Sequence, residues 1–515
     1  MRTEKMLEQK PPPVYLLLVM VSKKYIVALD MGTTSTKGLL YETGNAGGRG
    51  KILGSASSPH TCLFPSSGSS VQDPDEILEA AVSVLSSLVS RYRPDPASVE
   101  ALVFCGVLHS IVPVDGSGGL LDRAMIWSDR RSEEQTARLA LMLDREEARN
   151  RTGCSLNPLY FLPRLLWYRE KRPDIYKKAR LFISIKEYVL NRLFSTCLVD
   201  RSTASGTGVW NLHTLDWDED LLKTVGLRKN NFSEVVETTC EVGGLRREYA
   251  DKTGLIAGTP GIAGGADGPL AHLGSAGLDP GKMSLTVGTS GALRKLIPAA
   301  SVQPDTEAWC YYMAEGKWLG GGVAHDAGNV MQWLADAVLR DEGETIFDRI
   351  ASTRSIPPGA EGLVFFPFMS GERAPHNNPS AQTALAGLSL SHGRSHIVKA
   401  LMEGIAYRLH TIYMMLEPDA RSECVVTGGI LKSPAWLQLL ADFFGQHLLI
   451  PEVNEPAAWG AVLIGLLALG IAGSMEDLEP YVRISSRVEP DLAVHGVYEK
   501  VRLRYDSYYT RLFER

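Results

Sequence analysis

Cysteine is sparse in this sequence and never paired. Cys62, Cys105, Cys154, Cys197, Cys240, Cys310 and Cys424 are scattered, with no CxxC among them. An odd, widely spaced set excludes a disulfide framework and reads as reduced thiols, the pattern of a cytoplasmic protein. It also leaves zinc without a site, because His109 and Cys105 are the closest mixed pair and no second cluster accompanies them. Long apolar runs are missing as well. The run at 14–21 is too short to span a bilayer, and Ser22-Lys23-Lys24 offers no small-x-small cleavage site. Residues 1–24 are therefore expected to be a disordered extension, or to include a start misplaced ahead of Met20, and no membrane association is expected. Charge of one sign is not in excess: 53 Lys+Arg face 59 Asp+Glu, a formal charge of −6, which argues against a general nucleic-acid binder. GxxxxGK[ST] does not occur, and no GxGxxG opens a helix after a first strand. Those absences exclude a P-loop and weaken a dinucleotide-binding oxidoreductase.

What is present is globular. The chain has 515 residues, 44% hydrophobic and 22% charged. At about 150 residues per domain the length suggests roughly three units, and two large ones fit equally well. Tyr25-Ile26-Val27-Ala28-Leu29-Asp30 reads as a buried strand, and the glycines and small hydroxyls from Met31 to Gly38 as a tight turn with free backbone N–H groups. Asp73-Pro74-Asp75-Glu76 is a helix start, with apolar residues following at helical spacing. A strand at 99–105, a helical stretch at 130–193 and glycine-rich sequence from Gly264 complete an α/β first half, with a boundary expected near 271. The second half has strands expected at 282–287, 293–297, 362–366 and 423–427, and helices at 325–339, 395–416 and 435–444. The tail beyond Glu476 carries little functional character.

One long echo stands out. Ile26-Val27-Ala28-Leu29-Asp30-Met31-Gly32-Thr33-Thr34-Ser35 and Lys282-Met283-Ser284-Leu285-Thr286-Val287-Gly288-Thr289-Ser290 are each a strand running into a Gly-Thr-Ser turn. Two related halves would set two anion-binding turns on opposite sides of a cleft. Asp30 then has two readings: a Mg²⁺ (magnesium) contact beside bound phosphate, or a cap on its own turn. Lys37 could reach phosphate oxygens or stand in solvent. In Gly264-Gly265-Ala266-Asp267-Gly268 a carboxylate sits among residues almost without side chains. It can take the proton of an attacking hydroxyl during phosphoryl transfer, or close an Asx turn. Val425-Val426-Thr427-Gly428-Gly429 suits the approach of a nucleotide, and equally a plain strand-to-helix turn. His109 with Ser110, and Trp127 with Asp129 and Arg130, follow strand ends and together could bind a polyol or sugar acid.

Six motifs in this order resemble those of the FGGY carbohydrate kinases: Asp30-Met31-Gly32-Thr33-Thr34-Ser35, Trp127-Ser128-Asp129-Arg130-Arg131-Ser132, Gly265-Ala266-Asp267-Gly268, Val287-Gly288-Thr289-Ser290-Gly291, Phe366-Pro367-Phe368-Met369-Ser370-Gly371-Glu372-Arg373-Ala374-Pro375 and Gly428-Gly429. The resemblance runs from about 25 to about 470. It implies an α/β fold of two ribonuclease-H-like domains of the actin/hexokinase/Hsp70 type around a central cleft. Domains are then expected at 25–270 for the sugar and 271–480 for the nucleotide, with 481–515 as a tail. It implies ATP and Mg²⁺ as cofactors, Asp267 as catalytic base, and Asp30 with Asp267 at the metal. Thr33, Thr34, Lys37 and Thr289 would line the phosphates, with Gly328, Gln332, Gly429 and Ser433 at the nucleotide. His109, Ser110, Trp127, Asp129 and Arg130 would meet the acceptor. Leu108-His109-Ser110, Ser184-Ile185-Lys186-Glu187-Tyr188 and the stretch 200–217 look like the gluconate branch, which implies phosphorylation of D-gluconate to 6-phosphogluconate. Leu108, Arg130 and Asn377-Asn378-Pro379 depart from that branch and leave xylulose, another pentulose or another aldonate open. A non-catalytic sugar or nucleotide sensor would need neither Asp267 nor both turns. Partners are accordingly a small sugar acid or ketose, with neither nucleic acid nor membrane, in a monomer or homodimer.

Overall fold

The computed structural model describes residues 23–44, 49–304, 306–339, 345–378, 380–419 and 421–514. Residues 1–22 and Pro379, on which expectations above fall, lie outside this set.

The first unit is built on a six-stranded sheet. β1 (Tyr25–Met31) turns back into antiparallel β2 (Ser35–Glu42), and β3 (Lys51–Pro59) follows on the outer edge. Every residue of β1 except Asp30 is buried, so both faces of the strand must be covered. α1 (Pro74–Tyr92) covers one of them. Asp73 caps it by accepting from the Asp75 backbone N–H, Pro74 opens its first turn, and Ile77, Leu78, Ala81, Val84, Leu85 and Leu88 form the buried stripe. β4 (Val99–Gly106) lies parallel to β1. The stretch read as helical at 130–193 breaks into five helices, of which α2 (Ile185–Phe194) is the last and bears on the site. After α3 (Arg201–Ser205), β5 (Glu241–Gly244) and β6 (Pro260–Ala266) complete the order β5-β6-β4-β1-β2-β3, and α4 (Asp267–Ala276) leaves directly from β6.

The second unit repeats this plan. β7 (Lys282–Val287) and β8 (Gly291–Ile297) form the hairpin that corresponds to β1 and β2, and β9 (Trp309–Ala314) and β10 (Lys317–Ala324) extend it. α5 (Gly328–Trp333) and the long buried α6 (Arg394–Met415) follow. Then come β11 (Glu423–Thr427), parallel to β7, α7 (Pro434–Phe444), β12 (Leu448–Pro451), α8 (Pro456–Ala468), β13 (Ile484–Val488) and α9 (Leu492–Phe513). The strand order is β9-β10-β8-β7-β11-β12-β13. Two α/β units of ribonuclease-H-like type thus flank a central cleft, and the echo seen in the sequence is the starting hairpin of each.

The units are joined through two crossing helices. α8 is apolar on every side and packs on β1, β4 and β6 of the first unit, while α4 reaches across to β7. Their backbones touch: a Cβ on Gly274 would stand 2.0 Å from the Pro456 carbonyl oxygen, and one on Gly460 2.0 Å from that of Leu270. Only glycine permits this approach. The division expected at 270/271 falls inside α4, and the chain passes between units at 277–281 instead. Residues 481–515, set apart above as a tail, contain an edge strand of the second sheet and a helix whose Tyr498, Val501, Tyr505 and Tyr509 are buried in that unit's core. The seven cysteines are all unpaired, and no helix among the described residues is long and apolar enough to cross a membrane.

Candidate active site

β1, β4 and β6 run parallel and end at one edge of the first sheet, where Cys105 pairs in register with Asp30 on one side and Gly265 on the other. This brings Asp30 and Asp267 together. β6 arrives through a bulge between Ile262 and Gly265, with Gly264 at φ +67° and so close to β4 that a Cβ would lie 1.9 Å from the Phe104 carbonyl oxygen. Asp267 is the first residue of α4, and its Oδ1 accepts from the Gly268 N–H at 2.8 Å and the Leu108 N–H at 3.4 Å. Asp30 Oδ1 is buried with no hydrogen-bond partner. Burial, then the Asp267 charge, pushes the Asp30 carboxyl up to about 7. Burial raises Asp267 too, opposed chiefly by the Arg294 guanidinium.

Arg294 belongs to β8 of the other unit. Its Nη1 donates to Thr286 Oγ1 at 3.1 Å, its Nε is buried without an acceptor, and Gly268 lies against it. An arginine in mid-strand gave no signal in the sequence; only the meeting of the units reveals it. The Lys186 and Asp200 stretches, noted only for their resemblance, turn out to hold the bulge. Lys186 Nζ donates to the carbonyls of Ala263 and Gly265 at 3.0 and 3.1 Å and contacts Asp200 Oδ2 at 2.5 Å. Ser202 Oγ accepts from the Ala266 N–H, one residue ahead of Asp267.

Across the cleft, the turn at 288–290 and the end of β11 lie side by side. A Cβ on Gly288 or Gly429 would meet nothing within 4 Å, so both backbones border open space, and Thr289 is exposed. Gly328 packs under this turn, donating its N–H to the Gly288 carbonyl at 2.9 Å. Ser433 caps α7 and is buried. Gln332 is exposed and donates to the Asp336 carboxylate. In the first turn, the Thr33 carbonyl accepts from Gln72 and its hydroxyl from Trp127 Nε1 at 3.3 Å, while the Thr34 carbonyl accepts from the His60 N–H. Lys37 is paired with Glu455 at 2.7 Å, on the first residue before α8, and is not free in solvent. Two adjacent carboxylates, one with an unpartnered oxygen, suit a hard divalent cation that takes its other ligands from phosphate and water. Open glycine backbone suits phosphate.

On the acceptor side several of the expected residues already hold partners within the protein. His109 has φ +66° and its Nδ1 lies 2.8 Å from the Gly206 carbonyl; burial, then Arg373, holds its pKa well below the usual range. It is a neutral imidazole whose Nδ1 donates. Ser110 Oγ accepts from the Ile185 N–H at the start of α2. Asp129 is consumed by the Ser70 N–H and by Arg131. Arg130 is exposed and bound to Glu133, and its charge reaches His325. Trp127 faces His325 edge-on, ring centroids 6.1 Å apart. Four residues were not singled out in the sequence: Tyr160, Tyr311, His325 and Arg373. Tyr160 and Tyr311 join hydroxyl to hydroxyl at 2.8 Å across the two units, and Arg373 Nη2 donates to Tyr160 at 2.9 Å. Arg373 lay inside a quoted motif and could have been picked out there; the tyrosines carried no mark.

Two mirrored α/β units with acids on one wall and open glycine turns on the other define a phosphotransferase of the actin/hexokinase architecture. The FGGY family of carbohydrate kinases, N-terminal domain, matches residues 25–274 and the C-terminal domain of that family matches 283–469. The chain belongs to the FGGY family and is an ATP-dependent carbohydrate kinase. It is 31% identical over 481 residues to a gluconokinase of Bacillus licheniformis, covering 90% of this chain and 92% of that one. It is 28% identical to a xylulose kinase of Bacillus subtilis, covering 95% and 97%. Among solved structures it is similar to a ligand-bound xylulose kinase from Lactobacillus acidophilus, with TM-score 0.88, 27% identity and coverage of 95% and 98%. A gluconate kinase from the same organism gives TM-score 0.87, 27% identity and coverage of 96% and 99%.

Proposed function

We propose that this kinase transfers the γ-phosphoryl group of ATP to the 6-hydroxyl of D-gluconate, forming 6-phosphogluconate. The observation that carries the phosphoryl-transfer chemistry is the Asp30–Asp267 pair at the bulged strand end, opposite the open turns at Gly288 and Gly429. Asp267 takes the proton of the attacking hydroxyl, held at the mouth of the acceptor pocket by the Lys186–Asp200 brace behind it. Burial raises the pKa of that carboxylate, and the Arg294 guanidinium opposes the rise, favouring the ionised form a base needs. Asp30 and Asp267 are the residues that would hold Mg²⁺, which when bound neutralises charge on the phosphates. Thr33, Thr34, Thr289, Gly328, Gly429 and Ser433 form the nucleotide side. Lys37 reaches it only on leaving Glu455, and Gln332 only on leaving Asp336.

Gluconate is preferred because the gluconokinases of two Bacillus species are 31% and 30% identical, against 28% for the xylulose kinase. A pentulose kinase is the second reading, supported by the TM-score of 0.88 to a xylulose kinase. An ADP-release assay across gluconate, xylulose, ribulose, xylitol and glycerol tests the assignment. Highest kcat/KM on gluconate is expected, and a preference for xylulose overturns it. The unpaired cysteines fit action in the cytoplasm, as a monomer or homodimer.

A further inference from the structure

A cavity of about 560 Å³ opens at the joint of the two units and shares no residue with the acceptor pocket. That is the size of a small-molecule site. One wall belongs to β2 and β3 of the first unit, the other to the loop 452–455 between β12 and α8, with Tyr481 and Arg483. Trp459 of α8 lies between them. Its ring stands edge-on to Tyr41, centroids 5.3 Å apart, and its Nε1 donates to the Tyr481 carbonyl at 3.3 Å. The charges around this aromatic floor are unevenly served. Both acids have cations: Glu455 holds Lys37 at 2.7 Å, and Glu452 faces Arg483 at 3.7 Å. Lys51 has only Glu42, 3.9 Å away and more closely bound to Lys23 at 3.3 Å. Arg49, on the same wall, has no carboxylate within ion-pair distance among the described residues. Positive charge thus stands on both walls, with Arg49 and Lys51 on one and Arg483 on the other. A phosphate monoester, doubly charged and rich in acceptors, matches such a set. The exposed Ser55 and Asn454 supply neutral groups for hydroxyls, and the indole an apolar surface for C–H groups.

We infer that this cavity is a regulatory site for a polyhydroxylated phosphate monoester, the chemical class of the kinase's own product. Its inner end touches the catalytic wall: Glu455 lines the cavity and holds Lys37, which pairs in register with Asp30. An occupant bound to both walls fixes the loop 452–455 against β2. Lys37 then stays on Glu455, withheld from the phosphates of the nucleotide, and product slows turnover from a place other than the one where it forms. The site itself does not depend on whether the acceptor is gluconate or a pentulose, since either product is such a monoester. The inhibitory direction rests on the proposed place of Lys37 at the phosphates.

Calorimetry and steady-state kinetics on the full-length protein test it. The protein is first saturated with a non-hydrolysable ATP analogue and whichever of gluconate and xylulose it turns over, so that the active site is filled. The matching product, 6-phosphogluconate or xylulose 5-phosphate, should still bind, one equivalent per chain and roughly tenfold more tightly than inorganic phosphate. Arg49→Ser and Lys51→Ser should each weaken that binding roughly 10- to 100-fold and leave kcat in the absence of product unchanged. Added product should lower kcat of the parent in a way that neither excess ATP nor excess acceptor reverses, and the double variant should lose this component. No binding to the saturated parent overturns the site, whether or not the variants fold. Binding indifferent to both substitutions overturns it too. Equal affinity for inorganic phosphate overturns the polyol part of the assignment. Inhibition wholly reversed by excess acceptor overturns the regulation and leaves product in the active site alone. Binding that depends on Arg49 and Lys51 without any inhibition upholds the site and overturns the role given to Lys37.

Discussion

Replacing Asp30 by Asn should make the ligand-free protein more stable at alkaline pH while removing turnover. The carboxyl of Asp30 is raised from 3.8 to about 7, first by burial and then by the charge of Asp267. A raised acid holds its proton in the folded state between those two values. Its contribution to stability is therefore complete below about pH 3.8 and lost as pH rises through 7. Three units at 1.36 kcal/mol each set an upper bound of about 4 kcal/mol at pH 8. Sharing of the proton with Asp267 and entry of water bring the expectation to roughly 2–4 kcal/mol. Asn keeps the shape and carries no charge, so it recovers this amount at pH 8, roughly a third of it at pH 5 and almost none below the unfolded value of 3.8. For a unit of this size that is a rise in Tm of roughly 4–16 °C at pH 8. Thermal melts of parent and variant at both pH values, without Mg²⁺ or nucleotide, measure it directly. A Tm gap equal at pH 5 and pH 8, or an Asn variant less stable than the parent at pH 8, would refute the claim that an uncompensated carboxylate is stored there.

Asp267→Asn should lower turnover by about 10²–10⁴-fold while ATP and gluconate still bind; turnover within a few fold of the parent removes the general-base role. Arg294→Gln takes away the cation facing Asp267, so the Asp267 pKa rises and the acid limb of the kcat/KM profile moves to higher pH. A limb that stays in place would show that the two groups do not communicate. Gly264→Ala puts a Cβ against the Phe104 carbonyl at positive φ. It should cost at least about 2 kcal/mol in denaturant melts and depress kcat, and a silent variant would mean that the bulge can shift without consequence. Gluconate plus a non-hydrolysable ATP analogue should compact the protein in small-angle scattering as the units close and exclude water. An unchanged radius of gyration would indicate a cleft already closed.

Much of this protein is readable from local pattern alone. β1 is a largely apolar strand followed by a Gly-Thr turn, and β7, a strand of mixed character, runs into the same kind of turn, so two related α/β units follow without reference to any distant contact. Asp73 and Pro74 start α1 because a cap and a preset φ are properties of neighbouring residues. Asp30 and Asp267 declare themselves for the same reason: each is a carboxylate at a strand end among glycines or small hydroxyls. Partner choice is a different kind of information. Lys37 and Glu455, Arg294 and Asp267, and Tyr160 with Tyr311 and Arg373 are far apart in the chain and meet only when the units close on each other. Ser110, Asp129 and Arg130 have the chemistry of a sugar site, but the partners they hold within the protein, the Ile185 N–H, the Ser70 N–H and Glu133, were not named in advance. The C-terminal helix carried no motif, but its tyrosines fill the second unit's core and one of them binds Glu372, beside Arg373. A residue's chemistry and its local conformation are set by its neighbours in sequence, whereas burial and the company of charges are set by whatever the fold brings within a few ångströms. The sequence therefore determined the two-unit plan and its acids, and tertiary structure alone decided that Arg294 faces Asp267 and that Lys37 meets Glu455.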